Sequence, residues 1–284
     1  MDRFFVVTNE DRDPGAQRAG QITEYLRSRG RTCDYVSIER DSDHESEEIK
    51  KIRELPDDTE AVIVLGGDGT FIQSGGIIAP KKIPMIGVNL GHLGYLAEVD
   101  KENITPALDR LISDDFTIMD RMILSGTPVI NGNRCKDLLA VNDIVVKTSG
   151  STVGSFCIEV NDTHLTTISG DGIIVATPTG STAYNMSAGG PIVEPGSLMI
   201  VITPICPLEV VSRSVVLSAD DKVVIKIVRP EKRRAKSTGV FFDGSGDFRL
   251  YADDEVIVRK ADASIKLIKL SKESFLEVLS RKMG

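Results

Sequence analysis

The chain contains no tryptophan, and aromatic residues make up only 5% of it. A surface that stacks nucleic-acid bases on successive rings is therefore not expected. Acidic side chains outnumber basic ones, 42 against 34, and the formal net charge of −8 argues against broad binding to nucleic acid or to an anionic membrane. It leaves room for an anionic nucleotide in one local pocket. The three histidines, His44, His92 and His164, are scattered, and the four cysteines, Cys33, Cys135, Cys157 and Cys206, form no C-x-x-C pair. No zinc constellation is visible, and the thiols read as reduced side chains of a cytoplasmic protein. No run approaches the roughly 18 apolar residues of a membrane span. The opening MDRFFVVTNE has a short strand pattern and an early acid in place of a signal peptide.

With 284 residues, 41% of them hydrophobic, the chain is long enough for one large domain or two ordinary ones. Residues 3–8 read as a first strand. An amphipathic helix follows over about 15–29, with Ala19, Ile22 and Leu26 on one face and Gly30 as its stop. Cys33–Ile38 is a second strand, and the acidic stretch Glu39–Glu48 reads as an exposed loop or helix start. Ala61–Leu65 is a continuous apolar run, the pattern of a parallel strand covered on both faces. A helix over 70–79, a strand at Pro84–Val88 and a helix near 103–113 complete an α/β pattern. From about residue 116 short apolar runs alternate with Gly, Asn and Asp turns, which predicts a β-rich second domain, and the chain ends in an amphipathic helix.

The strongest local signal is Gly66-Gly67-Asp68-Gly69-Thr70, directly after the Ala61–Leu65 strand. Glycines let a backbone approach a ligand closely, and successive amides at a helix start suit phosphate oxygens. The motif is neither the P-loop nor the dinucleotide G-x-G-x-x-G pattern. Asp68 is the candidate for chemistry, since transfer of a phosphoryl group to a hydroxyl uses a carboxylate to orient or accept the proton. An Asx-type turn cap accounts for the same residue equally well. A second signal runs from Gly170-Asp171-Gly172 through Thr177-Pro178-Thr179-Gly180-Ser181-Thr182-Ala183-Tyr184-Asn185-Met186-Ser187 to Gly189-Gly190-Pro191. Ser181 or Thr182 is expected to cap a short helix that Gly189 and Pro191 end. The polar pair Asn142-Asp143 and the Asp243-Gly244 dipeptide each read, taken alone, as turns.

Taken together, in this order and spacing, GGDGT at 66–70, NLGHLGYLAEV at 89–99, Asn142-Asp143 and GDGIIVATPTGSTAYNMSAGGP at 170–191 resemble the NAD kinase family of bacterial type through most of the chain. The Thr-Pro-Thr-Gly-Ser-Thr-Ala-Tyr run makes the resemblance specific, because lipid kinases and phosphofructokinase-like enzymes carry loops similar to GGDGT. The resemblance implies a Rossmann-like α/β N-terminal domain (1–116) and a β-rich, sandwich-like NAD-binding domain (117–268). A C-terminal helix (269–284) would pack back on the first. The implied reaction is phosphorylation of the adenosine-ribose 2′-hydroxyl of NAD by ATP to give NADP. Asp68 would be the catalytic carboxylate, and Gly66, Gly67, Gly69 and Thr70 would shape the phosphate loop. Asn142, Asp143, Asp171, Thr182, Ala183, Tyr184 and Ser187 would hold the dinucleotide, partly across the interface of a homodimer or homotetramer. Mg²⁺ or another divalent ion would be held mainly by the ATP phosphates. Ser169 replaces a basic residue, and Asn185 a serine, that family members often carry. The competing readings are a lipid or other small-molecule kinase sharing the GGDGT loop, and a non-catalytic NAD(P)-binding regulator.

Overall fold

A computed structural model describes residues 1–39, 46–91, 94–150, 153–209, 212–228 and 238–283. Part of the acidic stretch (40–45, with His44) and His92 of the Gly-rich run lie outside the described residues. The chain forms two compact units, one of Met1–Arg121 with Ala263–Gly284, the other of Met122–Asp262.

In chain order the first unit has β1 (Arg3–Asn9), α1 (Gln17–Ser28), β2 (Thr32–Ile38), α2 (Glu47–Arg53), β3 (Ala61–Gly66), α3 (Asp68–Ile78), β4 (Met85–Asn89), β5 (Ala97–Asp100) and α4 (Ile104–Ile112). The second has β6 (Thr117–Ile130), which begins in the first, then β7 (Asn133–Arg134), β8 (Leu138–Ala140), β9 (Asp143–Thr148), β10 (Gly154–Val160), β11 (Thr163–Gly170) and β12 (Gly172–Ala176). After α5 (Tyr184–Ser187) come β13 (Met199–Ile205), β14 (Val215–Ser218), β15 (Val223–Ile227), β16 (Thr238–Phe242) and β17 (Ser245–Leu250). The long β18 (Glu255–Lys269) and α6 (Phe275–Met283) end the chain.

The first unit is built on a parallel sheet in the order β2-β1-β3-β4, with β5 also pairing β4. All six residues of β3 are buried, as the uninterrupted apolar run requires when both faces are covered. Ala19, Ile22 and Leu26 of α1 join Phe4 and Val6 of β1, Ile63 and Leu65 of β3 and Leu108 and Leu111 of α4 in one core. Cys33 belongs to that core, and burial pushes its thiol up to about 11, so it is inert packing. Because the order reverses between β2-β1 and β3-β4, the carboxyl ends of β1 and β3 flank a topological switch point, where such sheets place ligands. The GGDGT loop leaves β3 at that point. The acidic stretch ends in a helix start: α2 begins at Glu47, with the Ser46 hydroxyl accepting the Ile49 amide and Ile49 and Ile52 buried.

The last residues of the chain are anchored within the same unit. Leu267 pairs with Met85 of β4, and Arg110 donates to the Leu270 carbonyl at 2.7 Å. The Glu98 carboxylate accepts the Leu270 and Ser271 amides and pairs with Lys269, their side chains only 4% and 18% exposed. Replacing Glu98 by Gln keeps an acceptor for the amides but leaves the Lys269 ammonium uncompensated. Glu98→Gln is expected to cost about 1–3 kcal/mol of stability, read by denaturant unfolding.

The second unit is a β-sandwich. One sheet runs β11-β10-β15-β18, with β6 pairing β18, β7 and β8, and the other runs β14-β13-β12-β9-β16-β17. Phe156, Ile158, Val223 and Val256 of the first interdigitate with Ile144, Val146, Ile173, Ile200 and Val240 of the second in one core. The short apolar runs of the sequence are these strands, and in β12 and β13 both faces are covered, with Val145, Ile174, Ala176, Val201 and Ile205 forming a second cluster.

Candidate active site

In the first unit α3 begins at Asp68 itself, so Asp68, Gly69 and Thr70 form the first helical turn rather than a loop before a helix at 70. Gly67 is the N-cap, and no side chain caps this end. The leading amides of a helix have no partner within it, and they carry the positive end of its dipole. Gly66 is explained internally, since a Cβ there would lie 2.6 Å from the Thr70 hydroxyl. Gly67 and Gly69 have no such reason: nothing lies within 4 Å of where a Cβ would stand, and neither has positive φ. Open space beside two glycines at a helix N-terminus is what close approach by a phosphate needs.

Asp68 is half-buried and does not cap its own helix. Its carboxylate accepts the Tyr95 amide at 2.8 Å and the Leu96 amide at 3.1 Å, from the loop entering β5. That contact requires Gly94, where a Cβ would come within 1.9 Å of Asp68 Oδ1. The same loop is tied to the glycine turn by the Leu90 amide, which donates to the Gly66 carbonyl at 3.1 Å. Lys282 of α6 places its Nζ 3.8 Å from the centroid of the Tyr95 ring. Burial lowers its ammonium below the usual lysine range, and the nearby Asp68 charge acts in the opposite direction. A cation is thus brought beside Asp68 from the end of the chain. Sequence reading did not single it out, because a lysine in a terminal amphipathic helix reads as part of a solvated face.

In the second unit Asn142 and Asp143 lie where the chain enters β9. Asp143 is 5% exposed, and no hydrogen bond reaches its carboxylate from any described residue. Burial and the neighbouring Asp243 charge push it up to about 7. Asp171, Tyr184, Lys147 and Phe241 line a cleft of about 390 Å³ together with Thr148 and Ile205. The Lys147 ammonium stands 5.0 Å from the centre of the Phe241 ring. Ser169 donates its amide to Glu209 at 2.8 Å.

The Thr-Pro-Thr-Gly-Ser-Thr run forms a short 3-10 turn, Thr179–Thr182, before the single turn of α5. The expected hydroxyl cap is absent: Ala183 is the N-cap of α5 and no side chain bonds there. Ser181 is instead buried, donating to the Pro178 carbonyl at 2.6 Å and accepting the Val193 amide at 3.0 Å. Thr182 donates back to Thr179 at 3.3 Å. Asn185 is fully buried and holds the turn closed through Ser181, Pro191 and Thr203. An amide makes both the donor and the acceptor bonds, which explains why Asn stands at this place. Tyr184 and Ser187 are exposed, and Gly189, with φ 83°, ends the turn. The buried Thr179 hydroxyl finds no partner among the described residues and was not singled out from sequence.

A glycine-lined helix N-terminus at the switch point of a parallel sheet, with a fixed carboxylate and a lysine beside it, has the equipment to hold a phosphorylated ligand. The ATP-NAD kinase N-terminal domain family matches residues 5–116, and the ATP-NAD kinase C-terminal domain family matches residues 141–270. The chain is 36% identical to an NAD kinase of Lachnospira eligens over 293 residues, covering all of both proteins. It is 38% identical to an NAD kinase of Agathobacter rectalis over 287 residues, covering 100% of this chain and 99% of the relative. Among solved structures, yeast NADH kinase complexed with NADH aligns with a TM-score of 0.84 at 22% identity, covering 100% of this chain and 88% of that one. An Archaeoglobus fulgidus NAD kinase in complex with ATP aligns with a TM-score of 0.74 at 22% identity, covering 98% of each. The chain belongs to the NAD kinase family.

Proposed function

We propose that Asp68 is the catalytic carboxylate of this kinase and acts on the 2′-hydroxyl of the adenosine ribose. The reaction is the phosphorylation of NAD by ATP, giving NADP; full-length likeness to NAD kinases leaves no ground for a lipid acceptor or a silent regulator. The observation that carries the role is the placement of Asp68 at the open helix N-terminus with its carboxylate fixed by two backbone amides. Orientation of this kind supplies most of the acceleration in phosphoryl transfer, together with charge neutralisation.

The amides of Gly67, Gly69 and Thr70 receive phosphate oxygens, with Gly66 shaping the turn. ATP enters with Mg²⁺ or another divalent ion on its phosphates. Asn142 and Asp143 hold NAD through polar groups. Asp171, Thr182, Ala183, Tyr184 and Ser187 line the dinucleotide site, with Lys147 supplying in the Asp171 cleft the cation that position 169 lacks. We infer a homodimer or homotetramer in which Tyr184 and Ser187 are exposed for a neighbouring subunit's dinucleotide. A reducing cytoplasmic setting accords with four free thiols.

Substrate analogues test the acceptor. NAD lacking the adenosine 2′-hydroxyl is expected to bind and give no phosphorylated product, whereas the 3′-deoxy analogue remains a substrate. Phosphorylation of the 2′-deoxy analogue would place the acceptor elsewhere. Lys282 is expected to steady the donor phosphates: Lys282→Met should raise KM for ATP about 3- to 10-fold, leave KM for NAD near its normal value, and be largely rescued by Lys282→Arg. Initial rates with each substrate varied in turn check this.

A further inference from the structure

Asp243 occupies the first turn position between β16 and β17, where Phe242 pairs with Ser245. Its φ is 50° and that of Gly244 is 80°, the two positive values of a type I′ hairpin turn. Asn-Gly would make that turn equally well, so the turn alone does not account for a carboxylate there. The carboxylate reaches back about a hundred residues. Oδ2 accepts the Val141 amide at 2.7 Å, and Oδ1 accepts the Asn142 and Asp143 amides at 2.7 and 3.1 Å. The Asp243 amide in turn donates to the Asp143 carbonyl at 3.0 Å.

Thr177 closes the segment from its other side. Its hydroxyl donates to the Val141 carbonyl at 2.7 Å and its amide to the Asn142 carbonyl at 2.8 Å. Gly180 packs so tightly on this backbone that a Cβ would stand 2.1 Å from the Asn142 carbonyl oxygen. All six backbone polar groups of residues 141–143 are therefore held, three amides by one carboxylate and three carbonyls by Asp243 and Thr177. The Asn142 and Asp143 side chains have no hydrogen-bond partner among the described residues. A carboxylate that is 5% exposed and has no donor among the described residues has its acceptor sites open to a ligand.

We propose that Asp243 is a positioning residue for the dinucleotide: its carboxylate presets the Val141–Asp143 backbone so that the side chains of Asn142 and Asp143 stay free for the hydroxyl and amide donors of NAD. This rests on the reading that Asn142 and Asp143 hold NAD. The charge of Asp243 has a second effect, since it opposes ionisation of Asp143. Burial pushes Asp243 itself up to about 6, against the pull of its three amides. The elements packed on Asp143, namely β12, β16 and residues 177–182, contain no other ionisable residue, so Asp243 is the charge that Asp143 faces. An ionised Asp143 accepts from NAD, and that form is lost as pH falls through its raised pKa.

The test measures NADP formation by full-length protein, with each substrate varied in turn, between about pH 5.5 and pH 9. Asp243→Asn is expected to raise KM for NAD about tenfold, leave KM for ATP within about twofold, and move the acid limb of kcat/KM for NAD to lower pH. Thr177→Val loosens the same backbone without altering charge. It should also raise KM for NAD, with the acid limb unmoved, and it tests the positioning role even if Asp243→Asn fails to fold. Asp143→Asn should raise KM for NAD and remove the limb. Should Asp143→Asn leave KM for NAD unchanged, the reading of Asp143 fails and the role of Asp243 fails with it. Should Asp143→Asn behave as expected while Asp243→Asn and Thr177→Val change kcat alone, or both KM values together, Asp243 serves only the hairpin and the positioning role is overturned.

Discussion

Asp68→Asn is expected to lower kcat for NADP formation by about 10²–10⁴-fold while the dissociation constant for NAD stays within about threefold of normal. Asparagine matches aspartate in shape, so the start of α3 and the glycine turn should persist. Its carbonyl oxygen keeps one of the two amide contacts, from Leu96 or from Tyr95. What is lost is the negative charge and the ability to orient or accept the 2′-hydroxyl proton. Initial rates with isothermal titration of NAD separate these terms. Near-normal turnover by a folded Asp68→Asn protein would remove Asp68 from the chemistry.

Gly94→Ala is expected to act almost as strongly without altering any ionisable group. The added methyl carbon would lie 1.9 Å from Asp68 Oδ1 and 2.4 Å from its Cγ, far inside any tolerated contact. Asp68 is a short side chain fixed by the two amides that follow Gly94, so neither partner has room to yield without breaking those bonds. A carboxylate moved by about 1 Å loses in-line orientation, and kcat should fall about a hundredfold. Gly91→Ala is the control. There the nearest atom, at 3.1 Å, belongs to the long, exposed Arg12 side chain, which is able to swing aside. Gly91→Ala should therefore keep kcat near normal. Equal losses in the two variants would mean that the loop tolerates or rejects side chains generally, and that the Gly94–Asp68 contact has no special part.

The parts of this architecture that were legible from sequence are those set by local periodicity and punctuation. The buried run Ala61–Leu65 ending in glycines, the helical spacing of Ala19, Ile22 and Leu26, and the short apolar runs after residue 116 each reflect one element and its buried positions. What holds the candidate residues of each unit in place is long-range and leaves no local trace. Asp68 meets amides 27 and 28 residues away, and the segment carrying Asn142 and Asp143 is held by a carboxylate about a hundred residues on. Local rules misled at Ser181, where the hydroxyl that suits a helix cap is taken by Pro178 and Val193. They gave no weight to Lys282 or Lys147, since a basic residue near apolar neighbours usually only covers them. Nor does punctuation mark the division between the two units, which falls inside the continuous strands β6 and β18.

Supplying the purified protein with NAD, ATP and Mg²⁺ and following NADP with an NADP-specific dehydrogenase tests the reaction and the role of Asp68 together. NADP should accumulate only when both ATP and the divalent ion are present, and should nearly disappear with Asp68→Asn. Folded protein that forms no NADP, with inorganic polyphosphate, NADH and Mn²⁺ also supplied, would contradict this expectation.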